Sequence, residues 1–101
     1  MVMIMEWGHS EFMASIGKAL VINTVVNPEE SITGRDYDTS KLFYVVNGSG
    51  KCELELGFIK KKNTIIPRNT VYVPAGVTFK ITNNGATNLT LIEIEHGIKS
   101  S

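Results

Sequence analysis

Seven short stretches of this chain alternate apolar and polar side chains with a period of two, and that spacing belongs to β-strands and not to helices. They are ALVINTVV (19–26), KLFYVVNG (41–48), KCELELGF (51–58), NTIIP (63–67), TVYVP (70–74), TFKITN (78–83) and LTLIEIE (89–95). Between them lie NPEES, VNGSGK, PRNT, PAGV and NNGATN. These clusters supply the Pro, Gly and Asn that set or tolerate tight-turn backbone angles. Short strands so closely spaced predict an all-β fold, an antiparallel sandwich or barrel. HSEFMASIGK (9–18) is the only stretch read as a helical turn.

The stretch 51–56 shows the alternation most plainly. Lys51, Glu53 and Glu55 fall on one face, and Cys52, Leu54 and Leu56 on the other. Cys52 is therefore expected to be a buried, structural thiol, since no neighbour in sequence supplies the positive setting that activates a cysteine. The run Lys60–Lys62 follows Gly57 at a hairpin end. It reads as a solvated tip guarding a sheet edge, with anion binding as the alternative.

A chain of 101 residues has room for one modest core, so residues 1–101 are expected to form a single domain. Ten basic and ten acidic side chains cancel, which leaves no long-range field to attract nucleic acid or an anionic membrane. Cys52 is the sole cysteine and cannot form an internal disulfide. The opening MVMIMEWGHSEFM lacks both a basic leader region and an apolar run long enough to span a bilayer. A cytoplasmic protein is expected.

The order of strands and turns resembles the cupin superfamily, whose double-stranded β-helix, or jelly-roll barrel, carries two motifs. The first family motif runs from a glycine through two alternate histidines and a glutamate to a second glycine. Its spacing falls on Glu29, Arg35, Tyr37, Lys41 and Gly48, of which Gly48 alone matches. The second falls on Arg68, Pro74, Gly76, Phe79 and Asn83 and keeps the proline, the second glycine and the asparagine. More narrowly, EWGH, GKALVI, FYVVNGSG, VYVPAGVTF and LIEIEHG resemble the small cupin domains related to type II mannose-6-phosphate isomerase, which open with a Trp-Gly element. Trp7 is expected to anchor the N-terminal segment on the barrel.

The resemblance implies a site from which all four metal ligands have been lost. Arg35 and Lys41 are cations, Tyr37 is a poor ligand unless ionised, and Phe79 has no donor atom. No cofactor is expected, and Phe79 is expected to fill the vacated volume. His9 and His96 lie far apart with no ligand spacing around either. Glu29 and Arg68 replace glycines at turn positions, and the turns are expected to shift so that Asn27 and Asn69 take the unusual backbone angles.

If the family geometry holds, Arg35, Tyr37, Lys41, Phe43 and Val45 face the barrel interior together with Phe79 and Ile81. Such a lining suits a small anionic or sugar-like ligand, with Arg35 forking two oxygens and Lys41 adding a point charge. Alternatively, Arg35 and Lys41 snorkel to water and close a barrel that has no ligand. An isomerase-like enzyme acting on a sugar phosphate would need a base, for which Lys41 is the candidate, with Arg35 and Tyr37 stabilising an oxyanion. Glu30, Asp36 and Asp38 lie nearby in sequence, but alternation directs Asp36 and Asp38 away from the side of Tyr37, so no carboxylate or histidine is expected beside them. A third reading is assembly: ALVINTVV reads as a poorly protected sheet edge, and pairing it with a second copy would give a homodimer.

Overall fold

The computed structural model describes residues 1–97 as ten strands and, among those residues, no helix. The strands are β1 (Val2–Met5), β2 (Gly8–Ile16), β3 (Ala19–Val26), β4 (Ser31–Gly34) and β5 (Thr39–Asn47), then β6 (Gly50–Leu56), β7 (Ile59–Ile65), β8 (Thr70–Val73), β9 (Thr78–Thr82) and β10 (Leu89–Gly97). One sheet has the order β1-β2-β3-β10-β5-β8 and the other β4-β9-β6-β7. All neighbouring pairs are antiparallel. From β3 onward the chain crosses between sheets at every connection except the β6–β7 hairpin, which is the jelly-roll path. The β1–β2 hairpin extends one sheet beyond it.

The inward faces follow the alternation read from sequence. Val26, Phe43, Val45, Leu89 and Leu91 of the larger sheet meet Ile32, Cys52, Ile65, Phe79 and Ile81 of the smaller. Trp7 packs against this core, and its carbonyl accepts from the Asn27 amide at 2.8 Å. Gly8 beside it is required by space, because a Cβ there would lie 1.9 Å from the Val25 carbonyl oxygen.

The segment read as a helical turn, 9–18, is instead most of β2 and its turn into β3. The register against β3 shifts between Phe12 and Ala14, so Met13 is an extra residue and the alternation breaks there. ALVINTVV is likewise no edge: as β3 it is paired on both sides, with β2 and with β10. The outer edge of that sheet is β1, all four of whose residues are apolar and exposed.

The turns at Glu29 and Arg68 have not moved. Glu29 has φ 68° and Arg68 φ 78°, the left-handed region that glycine favours. Each is the third residue of a four-residue turn closed by a backbone hydrogen bond, Glu30 to Asn27 at 3.1 Å and Asn69 to Ile66 at 3.0 Å. With Pro28 and Pro67 in the second position, both turns are of type II. Pro74–Val77 closes in the same way at 3.1 Å, with Gly76 at φ 88°. Pro28 and Pro67 fix φ at the second position, and Glu29 and Arg68 adopt the positive angle that the third position of a type II turn requires.

Asn83 is fully buried and fully engaged. Its Nδ2 donates to the Val26 and Thr87 carbonyls at 2.9 and 2.8 Å, and its Oδ1 accepts from the Gly85 amide at 2.9 Å. The side chain thereby fastens the β9–β10 loop to the end of β3. No helix of the described residues is long and apolar enough to cross a membrane.

Candidate functional site

Along β5 the inward face changes from Val45 and Phe43 to Lys41, and along β10 from Leu89 and Leu91 to Glu93 and Glu95. The two strands pair so that Glu95 lies opposite Lys41 and Glu93 opposite Phe43. Lys41 Nζ donates to Glu93 Oε2 at 3.1 Å and also to Glu95 Oε1. The three side chains are 12, 14 and 23% exposed. Thr24 on β3 reaches Glu93 Oε1 at 3.5 Å. One ammonium and two carboxylates thus share a nearly enclosed site between the sheets.

Burial drives the Glu93 pKa above the ordinary carboxylate value, and the Lys41 ammonium opposes that rise without cancelling it. Burial also favours the neutral amine at Lys41. The hydrogen bond to Glu95, then the charge and hydrogen bond of Glu93, outweigh it and raise the lysine pKa. The lysine is held charged, and Glu93 takes a proton more readily than an ordinary carboxylate.

Glu93 also lines a cavity of about 230 Å³ together with Trp7, Ser10, Thr24 and Phe79. Phe79 is 5% exposed and lies 5.2 Å from Phe43, ring centre to ring centre, at a tilt of 54°. A Cβ on Gly34 would come within 2.8 Å of the Phe79 ring, so the glycine makes room for the aromatic. Ile81 is buried deeper in the same core. The expectation that Phe43, Val45, Phe79 and Ile81 face inward holds.

Arg35 and Tyr37 do not join them. β4 ends at Gly34 and β5 begins at Thr39, so the residues between form a loop to which strand alternation does not apply. Both side chains are exposed, Tyr37 by 67%. Arg35 Nε donates to the Gly76 carbonyl at 3.1 Å, and its guanidinium lies 4.8 Å from the Tyr37 ring centre, a cation–π stack. The Gly76 amide donates to the Asp36 carbonyl at 2.7 Å. Together these contacts clasp the β4–β5 loop to the β8–β9 turn. Asp36 Oδ1 accepts from the Asp38 amide at 2.9 Å, which lowers the Asp36 pKa.

This donor set does not fit the divalent ion of a metal-binding jelly roll. Among the described residues no three of His, Cys, Asp and Glu converge on one point. The two carboxylates that do meet are bridged by a lysine, which cannot ligate while charged. His9 pairs with Val25 and His96 with Ala19, at opposite ends of β3. Cys52 is 2% exposed, and burial, helped by the charge of Glu53, pushes its thiol up to about 11. It is an inert core residue at neutral pH.

Two facing sheets in jelly-roll order, with the positive-φ turns and the buried Asn83 in their motif places, define a cupin domain. Across residues 2–99 the sequence matches the family described as Mannose-6-phosphate isomerase C-terminal, and the chain belongs to that family. No curated protein matches the sequence closely enough to be a relative. Among solved structures, the capsular polysaccharide assembling protein CapF from Staphylococcus aureus superposes with a TM-score of 0.88 at 16% identity. That match covers 99% of this chain and 29% of CapF, so the chain spans less than a third of that protein. KdgF from Halomonas sp. superposes with a TM-score of 0.78 at 14% identity, over 90% of this chain and 81% of KdgF. A predicted oxalate decarboxylase from Thermotoga maritima gives 0.74 at 19% identity, over 90% and 83% of the two chains. At such identities the likeness is one of fold.

Sequence reasoning missed Glu93 and Glu95. The signal was in LTLIEIE, where Leu89, Leu91, Glu93 and Glu95 share one parity. Ile92 and Ile94 alternate just as well in the opposite phase, and this conceals the carboxylates' inward course.

Proposed function

We propose that this chain is a metal-free cupin domain whose interior cation is its own lysine, working as a small-molecule-binding or non-catalytic assembly domain. The observation that carries this reading is Lys41 at the motif position of the family's glutamate, with Glu93 and Glu95 on its ammonium. A lysine there removes one ligand and places a positive charge between two carboxylates that would otherwise attract an ion. Untagged protein is expected to contain no stoichiometric zinc, iron, manganese or nickel by elemental analysis, and added ions should not shift its melting temperature. One ion per chain, lost in Glu93→Gln, would overturn the reading. The single, buried Cys52 suits a reducing, cytoplasmic setting.

A second reading, a sugar-phosphate isomerase-like enzyme, is favoured by Glu93 itself. A carboxylate of raised pKa beside a 230 Å³ cavity has the properties of a proton-abstracting base, and the adjacent lysine those of an oxyanion partner. Turnover of mannose 6-phosphate, abolished by Glu93→Gln in a folded protein, would establish it. Absence of turnover across aldose and ketose phosphates would remove it.

The assembly side of the proposal is a homodimer, supported by the unpaired apolar edge at β1. Val2, Met3 and Ile4 are each at least half exposed, as is Phe12 on β2. Pairing that edge with a second copy would satisfy its free backbone groups. Light scattering is expected to give a dimer that Ile4→Lys converts to a monomer. A monomeric parent protein would refute it.

A further inference from the structure

Where β7 and β8 end their respective sheets, the barrel is open, and the groove between them encloses about 600 Å³. Its floor is apolar, with Ile65 and Val71 buried in the core. Its walls carry two cations, Lys61 and Arg68, and none of the described residues lining this stretch is acidic. Toward the β6–β7 turn the groove continues as a further 300 Å³ between Ile59, Leu56 and Pro74, with Tyr72 and Lys61 shared by both parts. Glu55 touches this apolar end, and its carboxylate pairs with Lys60 at 3.7 Å.

The alternation of β7 separates its three lysines. Lys60 and Lys62 turn to the outer face and pair across the hairpin with Glu55 and Glu53, at 3.7 and 3.5 Å. Lys61 turns the other way, opposite Leu54, and has no ion pair among the described residues. Arg68 has none either, and it stands at a backbone position where glycine would be relaxed. Two unpartnered cations above an apolar floor, joined to an apolar extension, form a surface complementary to a small amphiphilic anion.

We infer that the β7–β8 groove binds a small molecule with an anionic head and an apolar body. The head lies between Lys61 and Arg68 and the body over Ile65, Val71 and Tyr72. The inference deepens the small-molecule-binding reading and rests on it, but places the ligand away from Lys41 and Phe79.

Anilinonaphthalene sulfonate and its uncharged twin, phenylnaphthylamine, test this. The sulfonate is expected to bind saturably, with amide shifts at Thr64, Thr70 and Tyr72, and at least about tenfold more tightly than the neutral probe. Lys61→Glu should weaken it by a similar factor. Arg68→Gly should also weaken it while raising the melting temperature, which separates lost binding from lost folding. Equal affinity for the two probes, amide shifts confined to Val2–Ile16, or unchanged binding in Arg68→Gly would overturn the inference. Metal content and isomerase turnover of the same samples are separate readouts. An ion or turnover found alongside intact probe binding sinks the metal-free, non-catalytic reading alone, whereas metal-free protein that ignores the sulfonate sinks the groove alone.

Discussion

Lys41 on β5 bridges Glu93 and Glu95 on β10, with its ammonium 3.1 Å from Glu93. The cluster carries a net negative charge inside the barrel, so its energetics depend on pH in a defined direction. Glu93 has a raised pKa, chiefly through burial, and the folded protein holds that proton more tightly than the unfolded chain. Its contribution therefore favours folding as pH falls toward the ordinary carboxylate range and is lost as pH rises above it. Lys41 also has a raised pKa, so its contribution is present below the ordinary lysine value and lost as pH rises through the folded one.

Replacing Lys41 by Met removes the charge that opposes burial of the two carboxylates. The variant should lose about 3 kcal/mol near pH 8, as expected for breaking a buried ion pair. The deficit should shrink toward pH 5, as a proton takes the place of the ammonium. Urea denaturation at a series of pH values checks this, and a deficit that stays constant with pH would exclude the electrostatic account.

Glu29→Gly and Arg68→Gly should each stabilise the protein by about 0.5–1 kcal/mol. Relief of the left-handed strain outweighs the extra freedom that glycine gives the unfolded chain. The effects should add, since the two turns share no hydrogen bond. Thermal melts of the singles and the double are decisive, and destabilisation by either glycine would mean that the side chain repays its backbone angle.

Asn83→Ala should cost about 2–3 kcal/mol, because it leaves the Val26 and Thr87 carbonyls and the Gly85 amide without their partner. The β9–β10 loop should lose protection first, as seen by hydrogen exchange at Gly85. A loss no larger than that of an exposed Asn→Ala change would show that water replaces the side chain freely.

Cys52 should react with a thiol-specific disulfide reagent only on unfolding, since the buried thiol is pushed up to about 11. Labelling of native protein at neutral pH within minutes would contradict its burial.

The fold was legible where alternation is unbroken: β3 coincides with the stretch 19–26, and Phe43, Val45, Phe79 and Ile81 lie in the core as their parity requires. Reading failed where the period slips. Met13 bulges out of β2 and makes a strand resemble a helical turn. The β4–β5 loop carries Arg35 and Tyr37 outward because no strand governs them. The partners of Lys41 come from β10, and only the crossing of the chain between sheets brings that strand beside β5. Nothing near Lys41 in sequence announces them.

The placement of β10 between β3 and β5 also sets an order of events in time. The β2–β3 and β6–β7 hairpins close through two-residue turns, at Ile16↔Ala19 and Leu56↔Ile59, and should form within microseconds. The central strand of the larger sheet is the last of the ten in chain order, and its neighbours on both sides must wait for it. A nascent or truncated chain lacking β10 would present two open strand edges where the barrel wall belongs, a template for aggregation. Pulse-labelling hydrogen exchange during refolding should find amides of the β2–β3 and β6–β7 hairpins protected before those that join β10 to β3 and β5. Simultaneous protection would mean that the barrel closes in a single concerted step.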